Sequence, residues 1–381
     1  MSNVARTETG DPILLTPGPL TTSRTVKAAM LHDWGSRDAA FIRINREVLE
    51  RVAAIAGGTD SHVTVPMQGS GTFAVEAMLT SFVPRDGKVL ILINGAYGKR
   101  AAKICTYAGR AHAVLESPED TPPNLASLDA SLGQEPAITH VFAVHVETTS
   151  GILNPIEEIA ATVRRHGRRL LVDSMSGFGA LPIDVKTLGI DALAASSNKC
   201  LEGVPGVGFV VCERQALEGT KGNATALCFD LLDQFQVMEA TKQWRFTPPI
   251  HVIVALHQAL AEHAAEGGVA GRGARYAANR KVLVDGMRAL GFETLLPDRL
   301  QAPIIVTFRM PSDGKFVFEA FYDKLKARGY VIYPGKLTVA ESFRIGCIGR
   351  LDVQHMQGAV EAVRAVMAEI GVAHGRARRA A

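Results

Sequence analysis

Arg168-Arg-Leu-Leu-Val-Asp173-Ser-Met-Ser-Gly-Phe-Gly179 and Ser196-Ser-Asn-Lys199-Cys-Leu-Glu-Gly203 are the two stretches on which the fold turns. In the first, the apolar run Leu170-Leu-Val172 meets an acid, Asp173. In the second, the run Ala192-Leu-Ala-Ala195 leads to a lysine, Lys199, 26 positions on (199 − 173). Short continuous apolar runs suit strands buried on both faces, as in a parallel sheet. Ligands of open α/β sheets bind outside the carboxyl ends of the strands. An acid and an amine are therefore expected in one crevice.

That pair has a specific chemical use. Pyridoxal phosphate needs a lysine for its Schiff base and an acid against its pyridine nitrogen. Taken alone, however, the two residues read more readily as a turn-closing acid and a surface lysine. The decision rests on the rest of the chain.

Working outward, His62-Val-Thr-Val-Pro-Met-Gln68 reads as a strand and Gly69-Ser70-Gly71-Thr72 as a glycine-rich turn before a helix. Backbone N–H groups at such a helix start make an anion site. Val89-Leu-Ile-Leu-Ile93 is a further buried strand, followed by Asn94-Gly-Ala-Tyr97, where an aromatic ring could stack on a flat ligand. Val141-Phe-Ala-Val144 leads to His145-Val-Glu147-Thr148-Thr-Ser-Gly151. Strands alternating with helices at this spacing predict βαβ units. The interval from Lys199 to Val207-Gly-Phe-Val-Val211 is too short for a parallel crossover, so that strand should run antiparallel. Upstream, Ile44, Val48, Val52 and Ile55 have helical spacing.

Five strand ends thus offer a phosphate cup, a ring platform, an acid and an amine. P-loop chemistry is disfavoured because no GxxxxGK[ST] occurs, and a nicotinamide Rossmann site because GSGT lacks the three-glycine spacing. Serine hydrolase chemistry lacks a GxSxG elbow.

Composition agrees with an ordinary globular protein. The 381 residues are 47% hydrophobic and 21% charged, with a net charge of +3. That charge is too small to imply nucleic acid as a partner. Five scattered cysteines without CxxC fit reduced thiols and a cytoplasmic location. No run of 18 apolar residues implies a membrane span, and the first residues lack the apolar core of a signal peptide. No metal site is expected.

The domain expectation is an N-terminal segment, 1–20, packing near the active site, a large domain over 21–270 and a small α+β domain over 271–371. The basic tail 372–381 is expected to be disordered. The small domain would hold Ile304-Ile-Val-Thr-Phe308, a helix across 316–328, Tyr330-Val-Ile-Tyr333, Phe343-Arg344-Ile-Gly346 and a last helix at 353–371.

Several stretches together carry a family resemblance. They are Leu14-Leu-Thr16-Pro-Gly18-Pro-Leu-Thr-Thr-Ser-Arg24, Gln68-Gly-Ser-Gly-Thr72, Asn94-Gly-Ala-Tyr-Gly98, Glu147-Thr-Thr-Ser-Gly-Ile-Leu-Asn-Pro155, Val172-Asp-Ser-Met-Ser176, Asn198-Lys-Cys-Leu-Glu-Gly203, Tyr333-Pro-Gly-Lys336 and Phe343-Arg-Ile-Gly346. From residue 13 to about 370 the chain resembles the class V aminotransferases, which are fold-type I pyridoxal-phosphate enzymes. The resemblance implies a mostly parallel seven-stranded sheet sandwiched by helices, with a smaller C-terminal domain. It implies that Lys199 is the Schiff-base lysine and Asp173 the partner of the pyridine nitrogen. Ser70, Gly71 and Thr72 match the phosphate cup, Tyr97 the stacking aromatic and Thr148 the contact to the ring oxygen. Met175 and Asn198 join the cofactor set. Thr247 matches a residue that reaches the partner subunit's phosphate, which implies a homodimer with active sites at the interface. Arg344 matches the arginine that binds the substrate's acid group, with Thr16 and Gly18 beside it.

The activity implied is transfer of an amino group from 2-aminoethylphosphonate to pyruvate, in phosphonate degradation. An alanine- or serine:glyoxylate reaction is the alternative, and a non-catalytic pyridoxal-phosphate-binding regulatory protein is the alternative of a different class. His32-Asp-Trp-Gly-Ser-Arg37 departs from the pattern, and the sequence gives Arg37 no role.

Overall fold

The computed structural model describes residues 4–337 and 340–377. Its centre is a seven-stranded sheet: β1 (His62–Gly69), β2 (Lys88–Ile93), β3 (Ala111–Glu116), β4 (Ile138–Val144), β5 (Arg169–Asp173), β6 (Ala192–Ser196) and β7 (Gly206–Glu213). The spatial order is β1-β7-β6-β5-β4-β2-β3. Pairs β2/β3, β2/β4, β4/β5 and β5/β6 are parallel, and β7 runs antiparallel to both of its neighbours. The reversal follows from the connection: the few residues between Ser196 and Gly206 can turn the chain back but cannot carry it across the sheet. Every other strand therefore points its carboxyl end to the same edge.

Helices cover both faces, so the inner strands are apolar throughout. Side chains alternate between the two layers with the period of a strand. Leu90, Leu92, Val141 and Ala143 pack with the helices Ala39–Ile55, Ile156–Arg165 and Ile250–Ala265. Val89, Ile91, Ile93, Phe142 and Val144 face the opposite layer, with the helices Gly71–Phe82, Ala96–Tyr107 and Leu231–Thr241. Strand β3 has no counterpart in the sequence reading. It is an edge strand with Val114 half exposed, so it carries no long apolar run and is made a strand by its pairing with β2.

The second layer of the chain is a three-stranded antiparallel sheet, β8 (Ile305–Arg309), β9 (Tyr333–Pro334) and β10 (Ser342–Gly346), in the order β8-β10-β9. Its core is aromatic: Phe343 is fully buried and meets Phe292 edge-on at 5.7 Å and Phe308 at 5.6 Å. Truncating such a ring costs about 3–5 kcal/mol. The helix Val353–Glu369 packs there through Met356, Val360 and Val363. Ile13–Leu14 pairs with Tyr330–Val331, which fastens the N-terminal segment to this C-terminal unit.

Two expectations meet a different arrangement. Residue 271, the expected domain boundary, lies inside one helix, Gly268–Ala289. Its first half binds the large sheet's turn through Arg272 and Arg275, while Leu283 and Met287 belong to the small unit's core. The expected disordered tail is ordered over 372–377: Val372 is buried, Gly375 N–H donates to Leu290 O at 2.9 Å, and Ala377 pairs with Pro311. Backbone hydrogen bonds hold this basic stretch despite its polarity. Residues 378–381 lie outside the described residues.

Candidate active site

The carboxyl edge of the large sheet collects the residues singled out from sequence. Asp173 closes β5 and is 5% exposed. Its Oδ1 accepts from the Met175 N–H at 2.9 Å. Burial, opposed by that hydrogen bond and by the charges of Arg100 and Lys199, and aided by nearby Glu147, pushes its carboxyl up to about 6.

Lys199 sits in the turn after β6. Burial draws its amine down to about 8, against the attraction of Asp173 and with repulsion from Lys336 and Arg344. The turn is held firmly. Glu202 has a φ of 59°, an unusual left-handed setting for a non-glycine residue. Its N–H returns to Lys199 O at 2.8 Å. Its carboxylate takes Arg275 at 2.7 Å and the hydroxyl of Tyr276 at 2.5 Å. Arg275 and Arg272 also pair with Glu266 at 2.6 and 2.7 Å. A paired buried charge cluster of this kind is costly to break, because one lost partner leaves the other unsatisfied. Arg272, Arg275 and Glu202 thus fix the backbone from which Lys199 projects. Sequence reasoning missed all three roles, since the arginines lie some seventy residues downstream.

The N-terminal turn covers the lysine. Lys199 Nζ donates to Pro17 O at 2.7 Å. Gly18 lies against the same side chain: a Cβ there would stand 2.5 Å from Nζ, and its φ is +133°. Thr16 uses its hydroxyl inside the turn, donating to Pro19 O and accepting from Gly18 N–H. In this conformation that hydroxyl is engaged in the turn itself, while Gly18 faces the lysine.

Ser70 stands at the N-cap of the helix Gly71–Phe82 without capping it through its side chain. The first N–H groups of a helix need acceptors, and the Ser70 side chain supplies none here. Arg100 donates to Thr72 Oγ1 at 3.1 Å and adds a positive charge. Gly71 is pressed by Met175, whose Sδ would be 2.2 Å from an added Cβ. Asn198 accepts from Ser196 Oγ at 3.0 Å. The centroid of the Tyr97 ring lies 4.9 Å from the Arg100 guanidinium and 5.8 Å from Lys336 Nζ.

Arg344 reaches in from β10 and is 2% exposed. Nη1 donates to Thr148 O at 2.8 Å and Nε to Pro334 O at 3.1 Å. Among the described residues no carboxylate stands within ion-pair distance of it. Thr148 Oγ1 is buried without a hydrogen-bond partner. A buried hydroxyl left alone is costly and calls for a partner.

One predicted residue stands apart. Thr247 is exposed in the loop between the helices Leu231–Thr241 and Ile250–Ala265. Within one chain it does not join the cluster. Neighbouring Phe246 is 49% exposed and stacks against Arg245 at 4.8 Å.

Residues 22–324 match the family model described as Aminotransferase class-V. The chain belongs to the class-V aminotransferases. It is 55% identical to a 2-aminoethylphosphonate–pyruvate transaminase of Pseudomonas putida over 361 residues, covering 95% of this chain and 98% of the relative. It is equally identical, over 363 residues, to the enzyme of the same name from Burkholderia thailandensis, with 95% and 98% covered. Among solved structures, pyridoxamine-pyruvate aminotransferase from Mesorhizobium loti superposes with a TM-score of 0.86 at 26% identity, covering 97% of this chain and 96% of that one. Alanine–glyoxylate aminotransferase from Nostoc shares the fold, with a TM-score of 0.87 at 24% identity and 96% and 97% covered. This class-V aminotransferase is a pyridoxal-phosphate enzyme of fold type I.

The residues present fit that cofactor. An uncapped helix start with Arg100 nearby suits a phosphate. The unpartnered Thr148 hydroxyl can donate to a ring oxygen, and Tyr97 offers a face. A protonated ring nitrogen against Asp173 would favour the ionised carboxylate and oppose the upward shift that burial causes.

Proposed function

We propose that this class-V aminotransferase moves the amino group of 2-aminoethylphosphonate to pyruvate, giving phosphonoacetaldehyde and L-alanine. The observation that carries the reading is the buried Arg344 guanidinium, set beside the Lys199–Asp173 crevice with Lys336 and Arg100 close by. A planar guanidinium can hold a carboxylate or a phosphonate through two parallel hydrogen bonds. Additional positive charge suits the doubly charged phosphonate. The likeness to the Pseudomonas and Burkholderia enzymes supports the same substrates.

Each residue then has a task. Pyridoxal phosphate, when bound, supplies a carbonyl that accepts and returns the amino group and a ring that takes up negative charge. Ser70, Gly71 and Thr72 hold its phosphate, Tyr97 its ring face and Thr148 its ring oxygen, with Met175 and Asn198 at the edges. Asp173 keeps the proton on the ring nitrogen. Lys199 is the tether and the general base: its amine would take the proton from the substrate carbon bearing nitrogen and return it two atoms along, across that nitrogen, to the carbon of the cofactor's carbonyl group. An amine drawn down to about 8 has a useful neutral fraction near pH 7, as a base requires. Arg344 holds the far anionic end in both half-reactions, since pyruvate and 2-aminoethylphosphonate are each anionic there. Gly18 closes the crevice over Lys199.

Thr247 and the exposed loop around it support a homodimer in which this threonine reaches the other subunit's phosphate. We also propose a cytoplasmic location, which the five scattered cysteines, free among the described residues, support. Separately, no helix among the described residues is long and apolar enough to cross a membrane.

A donor screen with pyruvate, reading alanine, tests the reading. Alanine should form fastest from 2-aminoethylphosphonate. Faster alanine formation from serine or another carboxylated donor would overturn it.

A further inference from the structure

Glu147 has no part in the scheme above, yet it is fully buried beside Asp173. Its carboxylate lies at the start of the helix Ala96–Tyr107. Oε2 accepts from Tyr97 N–H at 3.1 Å. Oε1 accepts from Thr149 N–H at 3.0 Å and Thr149 Oγ1 at 2.6 Å. Thr149 Oγ1 in turn accepts from Ala96 N–H at 3.0 Å. Glu147 and Thr149 together therefore cap the first N–H groups of this helix.

Helices are ordinarily capped by the residue just before them. Here that residue is Gly95, which has no side chain to offer. A Cβ on Gly95 would stand 2.3 Å from Glu147 Cδ. Its φ of 167° is extended, so the glycine is required by space and not by conformation. The missing side chain lets a carboxylate enter from a segment fifty residues on, and the positive end of the helix favours the anion.

The same segment also serves the other side of the crevice. Thr148, between the two capping residues, gives its carbonyl to Arg344 at 2.8 Å. The ring platform and the anion clamp thus hang from three consecutive residues.

We infer that Glu147, assisted by Thr149, is a positioning residue that fixes Tyr97 over the cofactor ring and registers it with Arg344. This rests on the reading of Tyr97 as the ring platform. Glu147 acts on the cofactor through Tyr97, so its effect should depend on that ring.

The test is a double-mutant cycle read by equilibrium dialysis of pyridoxal phosphate, without turnover. Glu147→Gln keeps the shape but replaces one acceptor oxygen with a donor facing donors. It should weaken cofactor binding about tenfold, a charged hydrogen bond's worth. In a Tyr97→Ala background the same change should have less than about a third of that effect, since coupled residues are not additive. An equal loss in both backgrounds, or no loss in either, would overturn the inference and make Glu147 a fold-stabilising residue only. Unchanged affinity in Tyr97→Ala alone would instead remove the platform reading on which the inference rests. If Glu147→Gln does not fold, Thr149→Val, which removes the hydroxyl link, enters the same cycle with the same expectations. The wild-type protein's own affinity separates both from a failure of the cofactor assignment.

Discussion

The Nζ of Lys199 donates to the carbonyl oxygen of Pro17 at 2.7 Å, across 182 residues of sequence. The bond joins the turn after β6 to the N-terminal segment. That segment is in turn paired with the small C-terminal unit at Tyr330–Val331. One amine therefore stands where three parts of the chain converge.

Gly18 packs directly against that amine. An alanine there would place a methyl 2.5 Å from Lys199 Nζ and hold it at a φ of +133°. Backbone strain of this kind costs of order 1–3 kcal/mol. Gly18→Ala should lower the melting temperature and slow cofactor uptake. A variant matching the wild type in both would mean that the turn moves freely aside.

Lys199→Ala should abolish transamination while circular dichroism stays native, because tether and base disappear together. Activity above about a tenth of wild type, only some 1.4 kcal/mol of barrier, would remove Lys199 from the proton transfers.

Asp173→Asn should retain the cofactor but slow the reaction about a hundredfold, near 3 kcal/mol. A neutral amide no longer favours the protonated ring nitrogen. The cofactor-free protein offers a second readout. The buried Asp173 carboxyl titrates near 6 against an ordinary value of 3.8. A group raised on folding stabilises the protein below its unfolded value, and that contribution is lost as pH rises through the folded one. Wild type should therefore lose melting temperature relative to Asp173→Asn between about pH 4 and 6. A constant difference across that window would contradict the burial argument.

Arg344→Lys keeps a charge but loses the fork, along with one of the two bonds to Thr148 and Pro334. The apparent KM should rise roughly thirtyfold for both substrates, as for a charged hydrogen bond of about 2 kcal/mol. Cofactor absorbance should remain. Wild-type constants for both substrates would favour a purely structural arginine.

Thr247→Val should weaken cofactor retention if the loop donates across a subunit interface. Mixed dimers of Lys199→Ala and Thr247→Val subunits decide the direction. If the threonine serves the partner's site, both defects fall in one site and the other is intact, so hybrids regain activity. If it serves its own site, each site carries one defect and hybrids stay impaired.

The sequence by itself determined the large sheet's inner strands, because strands buried on both faces must be apolar throughout and end abruptly in polar residues. It determined the reversal of β7, because chain length forbids a crossover. It also placed Asp173, Lys199, Tyr97 and the Gly69–Thr72 turn at strand ends, where a parallel sheet gathers them. Tertiary structure alone decided β3, whose half-exposed strand follows from its partner β2. It decided that the 268–289 helix runs unbroken through the expected boundary, since Arg272 and Arg275 find their acids only after the chain has folded back. The same holds for Glu147, whose use as a cap for Tyr97 requires Gly95 to leave room for it. Local pattern records which residues must be buried or turned; long-range polar partners become visible only when folding brings the donor to its acceptor.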